Sequence, residues 1–389
     1  MFKVAYVSSY APRECGIATF TEDLIKNIDA LHVLKPASII ALNDPGSHYN
    51  YGNEVVIQID ADDKISYLQV AEQINNSDID LINVQHEFGL FGGDWGNYLL
   101  EFLKKLNKPC ITTMHTTLFP DAKVFRSSES SAAHKKVVKG IGRYSSAVVV
   151  MTKMAANILQ KSYDINAAKI KIIHHGSPAM PFVTSEPEKK VLCLDGRIVL
   201  STFGLLSRDK GIENAIKALP EIVKDWPDVL YLIIGATHPQ VRLRVGERYR
   251  KRLARLVKRL KLEKNVRFYN RFLDKNELIQ YLQATDVYIC PYVNVDQLSS
   301  GTLTYALGAG RAIVSTPFYY AKEVLADGRG LLCKFKNPQS ITEGIRQLLE
   351  NPEQKARIEN LAYEYGQDMT WPRVASKYAT LFKEVIQQT

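Results

Sequence analysis

An α/β protein of two doubly wound, Rossmann-like domains is what this sequence predicts, and three observations carry the prediction. Short β-rich runs alternate with helical patterns along nearly the whole chain, the rhythm of a parallel sheet covered by helices on both faces. That rhythm breaks over 181–197, where Pro181, Pro187 and a charged run fall together, and then restarts with a fresh strand. A chain of 389 residues is also too long for one ordinary α/β domain.

In order, the first half reads as a strand at 3–8, a polar loop holding Gly16, and a helix at 17–28. Strands at 37–42 and 55–59, a helix at 65–74 and a strand at 81–84 follow, then a helix near 95–106 and a strand at 110–114. A strand at 147–151, a helix at 154–163 and a strand at 170–173 end the half. After the break come a strand at 198–203, a helix at 212–223 and a strand at 230–234. A long basic helix near 245–260 places Val245, Tyr249, Leu253, Leu256, Val257 and Leu260 on one stripe, so its cationic face meets water. A strand at 266–269, a helix at 276–284 and strands at 287–289 and 312–315 flank a short helix from 301. Helices at 339–349, 354–365 and 371–386 close the chain. The expected domains are 1–180 and 198–370, joined by a linker at 181–197, and ligands of such sheets bind beyond the carboxyl ends of the strands.

Composition narrows the class. Hydrophobic content of 46% and charged content of 23% are those of a globular protein, and no apolar run approaches the roughly 18–20 residues of a membrane span. The first residues read as a strand rather than a signal peptide, and five scattered cysteines form no CxxC pair. Both features point to reduced thiols and a cytoplasmic location, and away from zinc or disulfides. A net charge of +9 suits phosphate-bearing partners in general: nucleotides, nucleic acid or an anionic membrane surface. No nucleic-acid module or interleaved aromatic–basic pattern is present, so nucleic acid is not expected, and peripheral contact with a membrane stays open.

The densest functional signal is CPYVNVDQLSSGTLTYALGAGRAIVSTP at 290–317. Ser299 and Ser300 stand where a helix N-cap belongs, followed by Gly301 and Thr302. Outward backbone N–H groups and the helix dipole favour an anion there, read as the diphosphate of a sugar nucleotide. FGLLSRDKG at 203–211 brackets Arg208 and Lys210 between Gly204 and Gly211, two cations at the turn into a helix. Gly16 marks the first strand-to-helix turn, without the GxGxxG of a dinucleotide fingerprint. QHEFGLFGGDWG at 85–96 gathers His86, Glu87, Gly92 and Gly93 directly after a buried strand, as a shaped binding loop would. His115 ends another strand, and His174 and His175 a third; with no carboxylate or cysteine at ligand spacing, a metal is not expected. Asp60 and Asp62 form a DxD without supporting acids.

These motifs in this order resemble the retaining glycosyltransferases of family 4, with the GT-B fold: TxxH at 112–115, HHG at 174–176, FGLLSRDKG, DVYICPY at 286–292, YALGAG at 305–310 and the closing WPRVASKY. More detailed wording, CGIATFT, QHEFGLFGG and SGTLTYALGAG, resembles a bacterial subgroup. The resemblance implies two Rossmann-like domains facing across a cleft, with a closing helix at about 371–389 that returns to the first domain. It implies metal-independent transfer of a hexose from a nucleotide sugar to a hydroxyl acceptor, with GDP-mannose or a UDP-sugar as donor. Arg208, Lys210 and the amides near 300–302 are then expected on the diphosphate, and His115 and Gln297 on the donor sugar. Gly16, Gly204, Ser299 and Tyr305, through its hydroxyl or ring face, complete the donor side, and His86, Glu87, Gly92 and Gly93 the acceptor side. Two departures stand out: Leu205 occupies the family's arginine position, and its Glu-x7-Glu pair is replaced by Gln297 and Tyr305, leaving Glu323 or Glu87 as candidate carboxylates. An inactive sugar-nucleotide-binding protein, a phosphorylase and an epimerase are the alternatives.

Overall fold

VAYVS at β1 (Val4–Ser8) has no polar alternation and is buried throughout, as a central strand covered on both faces must be. The computed structural model describes residues 1–13, 15–47, 49–122 and 124–388, and of Gln240 the backbone alone. Glu14 in the first loop and Thr389, with which the expected closing helix ends, lie outside the described residues.

The chain forms two compact units, Met1–Gly176 with Trp371–Thr389, and Ser177–Thr370. In unit 1, β1 leads to α1 (Gly16–Asp29), β2 (Ser38–Asn43), β3 (Val55–Asp60), α2 (Lys64–Asn75) and β4 (Leu81–His86). Then follow α3 (Tyr98–Lys105), β5 (Cys110–Met114), α4 (Ser128–Tyr144), β6 (Ala147–Val150), α5 (Lys153–Tyr163) and β7 (Ile170–Ile172). Among the described residues the sheet has the parallel order β3-β2-β1-β4-β5-β6-β7, so the strand order reverses between β1 and β4. The helix α4 was not anticipated from sequence. Its serine-rich start hides a buried stripe, His134, Val137, Val138 and Ile141, and Ser127 caps it by accepting from Ser130 N at 3.2 Å.

Unit 2 holds α6 (Glu186–Val191), β8 (Ile198–Phe203), α7 (Ile212–Asp225), β9 (Val229–Ile234), α8 (Pro239–Val245), α9 (Arg248–Arg259) and β10 (Val266–Tyr269). It continues through α10 (Lys275–Gln283), β11 (Val287–Cys290), α11 (Gly301–Gly308), β12 (Ala312–Ser315), α12 (Tyr319–Val324), β13 (Leu331–Leu332), α13 (Pro338–Glu350) and α14 (Pro352–Gln367). Its described sheet runs β10-β9-β8-β11-β12-β13, parallel throughout, with the reversal between β8 and β11.

The stretch 181–197, expected as a linker, is built into unit 2. Buried Lys189 of α6 pairs with Asp286 at 2.8 Å, and Asp286 also accepts from Val199 N at 2.7 Å. The expected basic helix near 245–260 is α9, and α8 before it was not anticipated; Gly246 at φ 62° ends α8 and separates the two. The closing helix α15 (Trp371–Gln387) returns to unit 1. Trp371, Val374, Tyr378 and Phe382 are buried in the core that contains Tyr6 and Phe20, and Thr113 Oγ1 and Tyr378 Oη lie 2.9 Å apart.

Candidate active site

In unit 2 the loops at the carboxyl ends of β8 and β11 meet where the strand order reverses. Gly204, at φ 123°, turns the chain out of β8, and a Cβ there would stand 3.0 Å from Thr302 Cγ2. A single 3-10 turn, Arg208–Lys210, ends on Gly211 at φ 61°. A Cβ on Gly211 would lie 2.2 Å from the Pro291 carbonyl oxygen, so glycine is required on both counts. Val293 N donates to Asp209 O at 2.9 Å and ties the two loops together.

Lys210 is held by this contact. Its Nζ donates to Tyr292 Oη at 2.6 Å and stands 3.9 Å from the ring centroid. Tyr292 is clamped in turn: Phe318 stacks on it at 5.1 Å, and Thr316 Oγ1 donates to its carbonyl at 2.6 Å. Tyr292 Oη lies 2.8 Å from Thr302 Oγ1, which lies 3.2 Å from Ser300 Oγ. Ser300 is the N-cap of α11 and accepts from Leu303 N at 3.3 Å. One polar chain thus runs from an ammonium to a helix N-terminus, two positive poles in one place. Arg208 is exposed on the same turn, and Leu205 is half-buried.

Gln297 and Tyr305, both expected at the donor, are engaged within unit 2 itself. Gln297 Nε2 donates to Ser299 O at 2.9 Å and its backbone carbonyl accepts from Tyr320 N at 3.1 Å, which fixes the approach to α11. Tyr305 is buried, its ring 6.0 Å from Phe203 within the core, because α11 is covered on all sides from Leu303 onward. Glu323 is half-buried on α12.

In unit 1 the corresponding reversal carries Gly16 and the loop after β4. Gly16 opens α1, capped by Cys15 Sγ accepting from Ala18 N at 3.3 Å; among the described residues nothing lies within 4 Å of where its Cβ would be. His115 is buried beyond β5, with Nε2 2.8 Å from Gln85 Oε1. Gln85 Nε2 donates to Asn83 Oδ1 at 2.6 Å, so its Oε1 is the acceptor and His115 carries the Nε2 proton. Burial, aided by the charges of His175 and His86, drives the His115 pKa far down, so the ring is neutral. Phe20 stands edge-on to His115, His175 and Trp371 at 4.6, 5.1 and 5.0 Å. The glycine of HHG follows from this packing: a Cβ on Gly176 would be 2.2 Å from Trp371 Cε3. His174 Nδ1 lies 2.9 Å from Met151 O. Glu87 is half-buried and accepts from Thr116 Oγ1 at 2.6 Å and Phe88 N at 3.0 Å; burial raises its pKa, against the pull of both bonds.

Three expected acceptor-side residues are instead part of the packing. His86 is wholly buried, stacked on Phe91 at 5.5 Å and edge-on to Phe88 at 4.7 Å, with no partner for either ring nitrogen among the described residues. It is the last residue of an all-buried strand and points inward with it. Gly92 and Gly93 are small because the loop folds on itself: a Cβ would lie 1.8 Å from Ala61 O at Gly92 and 2.2 Å from Asn97 Oδ1 at Gly93. Tyr292, Phe318, Gln85 and Phe20 are the residues the sequence did not single out. The Pro–Tyr after a buried strand was the available signal for Tyr292; for the others, contact alone identifies them. Among the described residues no group of three His, Cys, Asp or Glu is placed to hold a metal ion.

Two family models account for nearly the whole chain: Glycosyltransferase Family 4 over residues 16–178 and Glycosyl transferases group 1 over 184–365. The chain belongs to the group 1 glycosyltransferases of family 4. This glycosyltransferase is 27% identical over 314 residues to an uncharacterized glycosyltransferase of Methanocaldococcus jannaschii, spanning 79% of this chain and 76% of that one. Its fold matches sucrose-phosphate synthase of Thermosynechococcus elongatus with a TM-score of 0.80, covering 100% of both chains at 17% identity. It also matches Anabaena HepE, solved in complex with UDP, with a TM-score of 0.75 at 17% identity, covering 98% of this chain and 100% of that one. The two parallel sheets are therefore those of the GT-B glycosyltransferases.

Proposed function

We propose that the enzyme transfers a hexose, with retention at the anomeric carbon, from a nucleoside-diphosphate sugar to a hydroxyl of a carbohydrate acceptor. The observation that carries this reading is the polar chain from Lys210 through Tyr292 and Thr302 to Ser300. An ammonium held over a helix N-terminus matches a diphosphate that gains charge as the sugar leaves. The anomeric C–O bond to the diphosphate breaks, a bond to the acceptor oxygen forms, and the acceptor proton passes to the departing phosphate on the same face. No protein carboxylate is needed in that account, which agrees with Gln297 and Tyr305 at the two positions where the family has glutamates. Arg208 adds a second cation from the exposed tip of the turn, and charge stabilisation requires no metal.

On the first domain, the neutral imidazole of His115 and the open space over Gly16 are read as donor-side, and Glu87 as acceptor-side. The donor is GDP-mannose or a UDP-sugar; UDP in HepE, a protein of the same fold, supports the second. Five thiols, all free, fit a cytoplasmic enzyme. No helix among the described residues is long and apolar enough to cross a membrane, and contact with a bilayer is peripheral in this reading.

Two measurements test the proposal. A thermal-shift panel of UDP, GDP and ADP should raise the melting temperature with one base preferred, since a ligand of the native state adds RT ln(1 + [L]/Kd). NMR of the product should then show the donor's anomeric configuration. Inversion, or no shift with any nucleotide, overturns the reading.

A further inference from the structure

The strongest feature that the transfer chemistry leaves unused is the basic segment around α8 and α9. Between positions 242 and 264 the chain has eleven Lys and Arg against two Glu, an excess equal to the +9 of the entire protein, so the remaining residues are electrically balanced. The buried side of α9, Tyr249, Leu253, Leu256 and Val257, packs into the core over the sheet. Its cations consequently lie on the outside, and among the described residues none of the exposed ones is in an ion pair; the segment's paired cation is the half-buried Arg250, with Glu247.

A merely solvated basic helix has no use for what stands at its leading end. Leu243 is 79% exposed and Val245 43%, set between Arg242, Arg244 and Arg248, all exposed. Aliphatic side chains in water among guanidinium groups gain when the apolar part enters hydrocarbon and the cations meet anionic headgroups. Nucleic acid would match the charge and leave Leu243 without a function, because an aliphatic side chain gives bases no ring to stack on. The segment is also placed to matter. His238 N donates to Leu206 O at 3.0 Å, so the chain entering α8 is fastened to the loop that carries Arg208 and Lys210.

We infer that α8 and the exposed face of α9 form a docking surface for an anionic lipid bilayer, with Leu243 and Val245 inserting at the headgroup boundary. This gives a surface to the peripheral contact proposed above and is independent of the transfer chemistry. The test is co-sedimentation of the full chain with vesicles of phosphatidylcholine, with and without phosphatidylglycerol, in the absence of any nucleotide sugar. Binding should require phosphatidylglycerol and fall steeply as salt rises. Replacing Arg242, Arg244 and Arg248 by Glu should weaken it by at least about a hundredfold, at roughly fivefold for each charge lost. Leu243→Asn should weaken it about tenfold while leaving nucleotide release from a soluble acceptor assay unchanged. The salt dependence of the unaltered protein needs no variant and stands even if one misfolds. Equal binding to pure phosphatidylcholine, no binding to either vesicle, or tighter binding to duplex DNA or RNA that ignores Leu243→Asn would each overturn the inference. Failure here leaves the transferase reading untouched, and loss of nucleotide release leaves this one untouched.

Discussion

Lys210 and Tyr292 show how one contact can set both the position and the strength of a charge. The ring beneath the ammonium contributes about 0.5–2 kcal/mol, and the 2.6 Å hydrogen bond fixes its direction. Lys210→Ala should lower kcat/KM by about a hundredfold or more. Tyr292→Phe keeps the ring and removes bonds to Lys210 and Thr302, so about tenfold is expected, read chiefly in the donor KM. Steady-state kinetics of both variants decide whether the phenol positions the lysine or only packs beside it; an unchanged KM in Tyr292→Phe means packing. Buried histidines make a second residue-level claim. Burial lowers His86 to about 3 and His134 and His175 to about 4, whereas the unfolded chain titrates near 6.5. Between those values the unfolded state binds protons that the native state refuses, so stability falls as pH drops from about 6.5 toward about 4. Each imidazole contributes at most about 1.4 kcal/mol per pH unit, and Glu87, raised by burial, offsets part of it. His86→Phe, filling the same stacked place against Phe91, should flatten the slope by about one such share, measured by urea midpoints at about pH 7 and about pH 5. An unchanged slope would mean that His86 is not among the groups responsible.

At the scale of elements, the turns carry more information than the helices. Gly211→Ala meets both a positive φ and a backbone oxygen 2.2 Å from the new Cβ, so a loss of more than about 2 kcal/mol is expected by chemical denaturation, together with weaker nucleotide binding. Trp371 begins α15 and is buried against Phe20 and Gly176; Trp371→Ala should cost about 3–5 kcal/mol, seen as early unfolding of unit 1 in a urea titration. A two-state melt with an unshifted midpoint would contradict that placement. All strands but β13 and most helices were legible in the sequence, the buried strands as short apolar runs and the helices by their period. The turns at Gly204–Gly211 and at the start of α11 were legible because Ser300, Gly204 and Gly211 answer to local rules of capping and chirality. The helix α4 was not, since its apolar stripe is thin and a serine run precedes it. Nor was the inward turn of His86, because a strand-end histidine among glycines and aromatics reads alike whether it faces ligand or core. Tyr305 failed in the same way: helical period gives a face, and α11 has no exposed one after its first turn.

For the whole molecule, two parallel sheets of the GT-B glycosyltransferases each present their functional loops where the strand order reverses, which is where open α/β sheets hold ligands. The proposed diphosphate site lies within unit 2, where Lys210, Arg208 and the N-terminus of α11 supply its positive charge. Its centre is a lysine placed by a tyrosine over the N-terminus of α11. Release of free nucleoside diphosphate from a panel of UDP- and GDP-sugars, run with chelator present and repeated with Lys210→Ala, tests that most directly. Release is expected from one donor class, undiminished by chelator and reduced about a hundredfold in the variant. Release abolished by chelator, or equal in Lys210→Ala, would contradict it.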